Sequence, residues 1–397
     1  MQDHPVLGQV ALGYCPVIDR HRNVTAARLS VFPLRPDVLP DAADLVACLA
    51  EVFPLDGGEV CINAAGEGLL QGLLGAAPPA NMMIEVPAFM AADPANAAAL
   101  QAVHAAGSTL LVKGRPVVAL PRDVLPCFKH SIIDYDDDRR TSAAAPAGQE
   151  RCNTHMQSGV RTLAEMEDSF KRGASAVLGW PTEEVPVKSG SNRQAPPALQ
   201  VIVDLIKKVD QQQPIDKLEA VLTNDPTLAF RLLRYINSPA FGLRVEISSF
   251  RHAIMMLGYQ KLKRWLALLL ATASKDTNMK PVMFAAVRRG LFMEQLVRGS
   301  GDDDLRSEMF LCGVFSLLDR LMGQPFAEML KTIPVPERVF QALVHDSGPF
   351  RPYVDVVRAV EQESLYDIRD AADALMISVA EVNRALLRAL VAARQVS

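Results

Sequence analysis

The sequence has no cysteine pair spaced as C-x-x-C, no excess of basic charge and no apolar run long enough to cross a bilayer. Its six cysteines stand at 15, 48, 61, 127, 152 and 312. That scatter excludes a zinc ribbon and a dithiol redox motif, and it marks the cysteines as small apolar core residues of a reducing compartment. Lys and Arg number 41 against 45 Asp and Glu, for a formal charge of −4, so no global basic field exists to hold nucleic acid or an anionic membrane. The most apolar stretch, 265-WLALLLATA-273, falls short of the ~20 residues a spanning helix needs. The start, MQDHPVLGQV, lacks the basic and apolar regions of a signal peptide. A P-loop, a dinucleotide-binding glycine fingerprint and a nucleophile elbow are also missing. The expectation is a cytoplasmic protein without a cofactor, away from membrane and nucleic acid.

What is present is a globular chain of 397 residues, 49% hydrophobic and 22% charged, long enough for two domains. The first half alternates short β-like runs with helical stretches. VALGYCPVID (10–19) and VTAARLSVF (24–32) flank a polar turn, Arg20 to Asn23. A helix follows around 41–53 with Asp41 as N-cap, then EVCIN (59–63), a short helix with glycines, MMIEV (82–86), a helix from Asp93 to Ala106 and STLLV (108–112). Such alternation predicts a mainly parallel sheet. The pattern fades between 136 and 158, which reads as loop, and the helix 160-VRTLAEMEDSFKRG-173 and the strand ASAVLGW follow. The stretch 181-PTEEVPVKSGSNRQAPP-197, with four prolines, reads as a linker. Beyond it the period becomes helical: Leu228, Leu232 and Ile236 share one face, as do Leu262, Leu266 and Leu270 after Gly258. About ten helices fit there. The division is therefore 1–180, a linker at 181–197, and an all-helical 198–397.

The phrases 225-DPTLAFRLLRYINSPAFG-242, 247-ISSFRHAIMMLG-258 and 310-FLCGVFSLLDRLMG-323 occur in the order and spacing of the HDOD domain, an all-helical relative of the HD phosphohydrolases, and the second half resembles it. The motif residues are Asp225, Pro226, Asn237, Ser238, Leu257 and Gly258. Asp225 suits an N-cap with Pro226 as first helical residue, and Pro239 stops the helix after Asn237-Ser238. The resemblance places the HD metal pair at Ser316 and Leu317, neither of which suits a divalent cation. The upstream His of an HD site would fall near 287-VRRGLFMEQL-296, which has none. His345-Asp346, the one His-Asp dipeptide, precedes a Ser-Gly-Pro turn and reads as a solvated loop.

The first half resembles a degenerate EAL domain, a barrel phosphodiesterase that cleaves cyclic di-GMP with two divalent metals. The resemblance puts the signature on Ala27-Arg28-Leu29, with Arg28 in the glutamate slot. It keeps Asn63, Glu85 and Asp134. Ala88 takes the place of a second glutamate, Lys113-Gly114-Arg115 that of an Asp-Asp-Phe motif, and Ser158 and Arg161 those of two further glutamates. Metals held about 3.5–4 Å apart need clustered anionic oxygens, and Arg28, Lys113 and Arg161 oppose them. These cations either bind a phosphate directly or pair with Glu85 and Asp134 as counter-charges. The basic run 261-KLKR-264 reads as a solvated helix face.

The expected architecture is thus α+β: a reduced TIM-like, EAL-type β/α barrel followed by an all-α HDOD domain. The expected function is non-catalytic signal transduction or scaffolding through contacts with other signalling proteins, with both ancestral metal sites lost and no metal bound. The alternatives are a metal-independent cyclic di-GMP receptor and a residual cyclic di-GMP phosphodiesterase.

Overall fold

The structure, a computed structural model, describes residues 4–138, 154–183, 197–223, 249–272, 274, 276–330 and 333–396. Eight strands close a barrel in chain order: β1 (Val10–Asp19), β2 (Val24–Pro33), β3 (Glu59–Ala64), β4 (Met82–Pro87), β5 (Thr109–Lys113), β6 (Phe128–Asp134), β7 (Thr154–Val160) and β8 (Ala176–Gly179). β1 runs antiparallel to both neighbours, and the other pairs are parallel. The cause of the antiparallel step is local. The four residues between β1 and β2 are too few for a parallel crossover, and the Asp19 carboxylate closes the turn by accepting from the N–H groups of His21 and Asn23, each at 2.8 Å.

Parallel steps need crossovers, and short helices supply most of them. These are α1 (Ala42–Val52), α2 (Glu67–Gly75), α3 (Ala88–Ala92), α4 (Ala97–Ala105) and α5 (Leu163–Lys171). Asp41 caps α1 as expected, accepting from the N–H groups of Ala43 and Asp44. The barrel is reduced in its connections and complete in its strands: β5 and β6 are joined through a three-residue 3-10 turn, Leu125–Cys127.

Two local expectations are corrected. The stretch read as loop up to 158 contains most of β7, and the helix expected from Val160 begins at Leu163. The buried positions of β7 include His155 and Gln157, so the strand lacks the apolar alternation by which strands are recognised. The helix start belongs to a capping box in which Thr162 and Glu165 exchange hydrogen bonds with each other's backbone N–H.

The compact unit that holds the barrel is Met1–Glu184 together with Arg358–Arg384, where the sequence suggested one helical domain over 198–397. Asn383 shows what ties the distant segment in. Its buried side chain accepts from the Leu12 N–H at 3.0 Å and donates to the Leu7 and Val10 carbonyls at 2.9 and 2.7 Å, completing backbone pairing at the start of β1.

The second unit is Val185–Val357 with Ala385–Ser397. The helices after the barrel strands are α6 (Pro197–Asp210), α7 (Ile215–Thr223), α8 (Phe250–Thr272), α9 (Lys280–Leu296), α10 (Asp303–Phe315), α11 (Leu318–Met322), α12 (Phe326–Met329), α13 (Glu337–Val344), α14 (Arg351–Glu361), α15 (Leu365–Ala374) and α16 (Val379–Val396). Helix α8 is broken at Gly258, which is non-helical at φ 73° and ψ 172°; Leu262, Leu266 and Leu270 beyond it are buried as their spacing predicts. Helices α9 and α10 cross where Gly313 lies so near that a Cβ would stand 2.5 Å from the Arg289 carbonyl oxygen. Among the described residues no helix is long and apolar enough to cross a membrane.

Replacing Asn383 by Leu leaves three buried backbone groups without partners. The expected loss is about 2–4 kcal/mol of stability, read from the denaturant midpoint of the full chain. An unchanged midpoint would mean that the 358–384 segment does not support the barrel.

Candidate functional site

In β2 the alternation of side chains puts Arg28 and Ser30 on one face, and both are buried, at 6% and 1% exposure. Neighbouring strands bring Cys61 and Asn63 from β3, Glu85 from β4 and Lys113 from the end of β5. One hydrogen-bonded chain joins them. Arg28 donates to both oxygens of Glu85, Nε to Oε1 at 2.5 Å and Nη2 to Oε2 at 2.9 Å. Its Nη1 donates to both oxygens of Glu363 at 3.0 Å. The Ser30 hydroxyl donates to Glu363 Oε1 at 2.5 Å and accepts from Asn63 Nδ2 at 2.8 Å. Lys113 Nζ donates to Asn63 Oδ1 at 2.9 Å, and the Cys61 thiol donates to Glu85 at 3.1 Å.

The electrostatics follow from burial and charge together. Burial alone would lower the Arg28 guanidinium, but the Glu85 and Glu363 carboxylates outweigh it and hold it well above its ordinary range. Burial alone would raise Glu85, and the charge and hydrogen bonds of Arg28 hold it below its ordinary value instead. Burial, then the Glu363 charge, pushes the Cys15 thiol well up, and burial with Glu85 does the same to Cys61. Both thiols therefore stay protonated and are poor nucleophiles or metal ligands.

Glu363 follows α14 and precedes α15, with φ at +53°. A non-glycine residue in this left-handed region costs about 1–2 kcal/mol. Its carboxylate bonds to Arg28 and Ser30 offset that strain.

Of the residues the sequence picked out, Arg28, Asn63, Glu85 and Lys113 converge. Asp134 and Ser158 meet each other, with the hydroxyl 3.3 Å from the carboxylate. Ala88 is buried at the start of α3, and Gly114 is exposed with φ at +85°. Arg161 is exposed, and its backbone N–H donates to Glu165. Of the three cations, Arg28 takes the counter-charge role, on Glu85, and Lys113 bonds to an amide. Ser30, Cys15, Cys61 and Glu363 were missed. Ser30 was findable, two residues from Arg28 on the same strand face. Glu363, 335 positions from Arg28, left no signal.

In the helical unit Ser316 is the C-cap of α10 and Leu317 lies between α10 and α11, both buried. Arg289, from the segment where an HD site would have its upstream histidine, donates to the Ser316 hydroxyl at 3.1 Å. His345 and Asp346 are exposed as expected, and Asp346 pairs with Arg351. The 261–264 run is not a solvated face. Lys263 is buried and pairs with Asp210, and Arg264 grips Glu294 through two bonds of 2.7 and 2.6 Å. Acidic partners on neighbouring helices drew these basic residues inward. Asp225, Pro226, Asn237 and Ser238 lie outside the described residues, as does the Leu228–Leu232–Ile236 face, and Leu257 is placed by its backbone within α8. Among the described residues no three His, Cys, Asp or Glu side chains are grouped to hold a metal ion.

The HDOD domain matches residues 195–331. This chain carries an HDOD domain. The barrel that precedes it resembles EAL domains. The cyclic di-GMP phosphodiesterase CdgJ of Vibrio cholerae is 25% identical over 199 residues, which is 50% of this chain and 46% of that protein. The uncharacterized protein YuxH of Bacillus subtilis is 25% identical over 212 residues, 52% of this chain and 50% of its own. The matches thus span about half the length of these relatives. Among solved structures, BlrP1 of Klebsiella pneumoniae in its calcium and cyclic di-GMP complex aligns at 18% identity and a TM-score of 0.34, covering 46% of this chain and 57% of that one. A standalone EAL protein of Vibrio cholerae bound to cyclic di-GMP aligns at 15% and 0.31, covering 43% and 89%.

Held below its ordinary value of 4.5, Glu85 contributes stability that is complete above that pH and is lost as pH falls through the lower folded value. Thermal unfolding of the wild type should therefore weaken on acidification below about pH 4.5 more steeply than that of Glu85→Gln; equal slopes would count against the pair as the source. Arg28→Met, which strands Glu85, should cost about 3–5 kcal/mol in denaturant unfolding, and adding Glu85→Gln should restore part of it.

Proposed function

We propose that this chain is a non-catalytic signal-transduction protein related to cyclic di-GMP signalling, cytoplasmic, and acting through contacts with other signalling proteins. The HDOD domain and the relatives it shares sequence with support the signalling role. The observation that carries the non-catalytic reading is the bidentate Arg28–Glu85 pair. Two-metal hydrolysis needs free anionic oxygens around both ions. Here both Glu85 oxygens accept from Arg28, and the Asn63 carbonyl oxygen accepts from Lys113. A divalent cation at Glu85 would have to stand against a guanidinium in contact with the same carboxylate. This donor set does not fit a metal pair, and no hydrolytic step is derived through one. The helical unit supports the same reading: Ser316 and Leu317 stand where the resemblance to HD hydrolases puts the metal-binding pair, and Arg289 is bonded to Ser316.

The test is to incubate the full chain with cyclic di-GMP and either magnesium or manganese, and to follow the linear dinucleotide by chromatography. The expected result is no product above the protein-free control. Metal-dependent turnover that disappears in Glu85→Gln would overturn the reading.

A further inference from the structure

We propose that Arg28 and Ser30 form a binding site for a small oxyanion, filled in this structure by the chain's own Glu363, and that an external carboxylate or phosphate enters only by displacing that residue. This goes beyond the non-catalytic reading and does not depend on it.

The site is built for one anionic group. The Glu363 carboxylate takes two bonds of 3.0 Å from a single Arg28 nitrogen and one of 2.5 Å from the Ser30 hydroxyl. Both donors are more than nine-tenths buried. Each is fixed from behind: Arg28 by Glu85, and Ser30 by Asn63, which is in turn held by Lys113. With Glu363 withdrawn, Arg28 and Glu85 cancel, and Lys113 leaves one positive charge near the Ser30 hydroxyl and Arg28 Nη1, the two donors that have lost their anion. A carboxylate and a phosphate oxygen pair suit the same donors.

The occupant is admitted by the absence of a side chain at Gly13, the cross-strand partner of Ser30. A Cβ at residue 13 would stand 2.8 Å from the Glu363 Cα and 2.9 Å from its Cβ. Backbone contact of this kind cannot be relieved by turning a side chain. Gly13 is thus the seat of the plug, and Gly13→Ala lifts Glu363 while leaving every charged group unchanged. Arg28 does not itself need Glu363 for neutrality, because Glu85 already supplies one full counter-charge.

The experiment titrates inorganic phosphate, and separately succinate, into the full chain in metal-free buffer, by calorimetry and by thermal shift. A tethered carboxylate competes at high effective concentration, so Glu363→Ala and Gly13→Ala should each bind an oxyanion at least roughly tenfold more tightly than the wild type. Glu363→Gln, which matches the native side chain in size, should fall between and decides the matter if the other two do not fold. Adding Ser30→Ala to Glu363→Ala should remove the gain. A gain for succinate alone, or for phosphate alone, identifies which oxyanion the site takes. Variants with wild-type circular dichroism and no gain for either anion would overturn the proposal, as would a gain that survives Ser30→Ala. Neither readout involves cyclic di-GMP or its hydrolysis, so this test can fail while the non-catalytic reading stands, and the reverse.

Discussion

A guanidinium withdrawn from water into a barrel loses hydration worth several kcal/mol, and carboxylates must meet it with good geometry to offset that loss. Arg28 sets this condition for the barrel centre. Glu85 meets it with two bonds, and each remaining polar atom then needs its own partner. Ser30, Asn63, Lys113 and Cys61 follow from that requirement. Glu363 completes it from the far end of the chain, which is why a segment close to the C-terminus belongs to the barrel's compact unit.

The same constraint shapes what the barrel can do. Two cations and two carboxylates balance one another around Arg28, and the oxygens that would attract a divalent ion are turned toward a guanidinium. One of the two carboxylates on Arg28 comes from a residue held in a left-handed backbone conformation.

In the helical unit, polar groups are consumed in a comparable way. The close crossing at Gly313 brings α9 against α10, which delivers Arg289 to Ser316. Arg264 on α8 meets Glu294 on α9. Basic residues that would form a nucleic-acid patch on an isolated helix are tied to acidic partners inside the unit.

Much of this was legible in the sequence. Alternating strand and helix patterns, the Asp41 cap, the turn at Arg20–Asn23 and the helical period after residue 197 are local signals, and local physics reproduces them. The residue types at Arg28, Lys113, Ser316 and Leu317 were equally visible, because reading them needs no tertiary information. Strand β7 was not, since polar residues at its buried positions erase the alternation. The inward turn of Lys263 was hidden as well, since its partner Asp210 lies on another helix. Above all, no pattern along the chain joins Glu363 to Arg28 or Asn383 to Leu12. Those pairings depend on where closure of the barrel leaves buried hydrogen-bond donors and backbone groups without partners. That is a property of the folded surface, and only the tertiary structure decides which distant residue fills it.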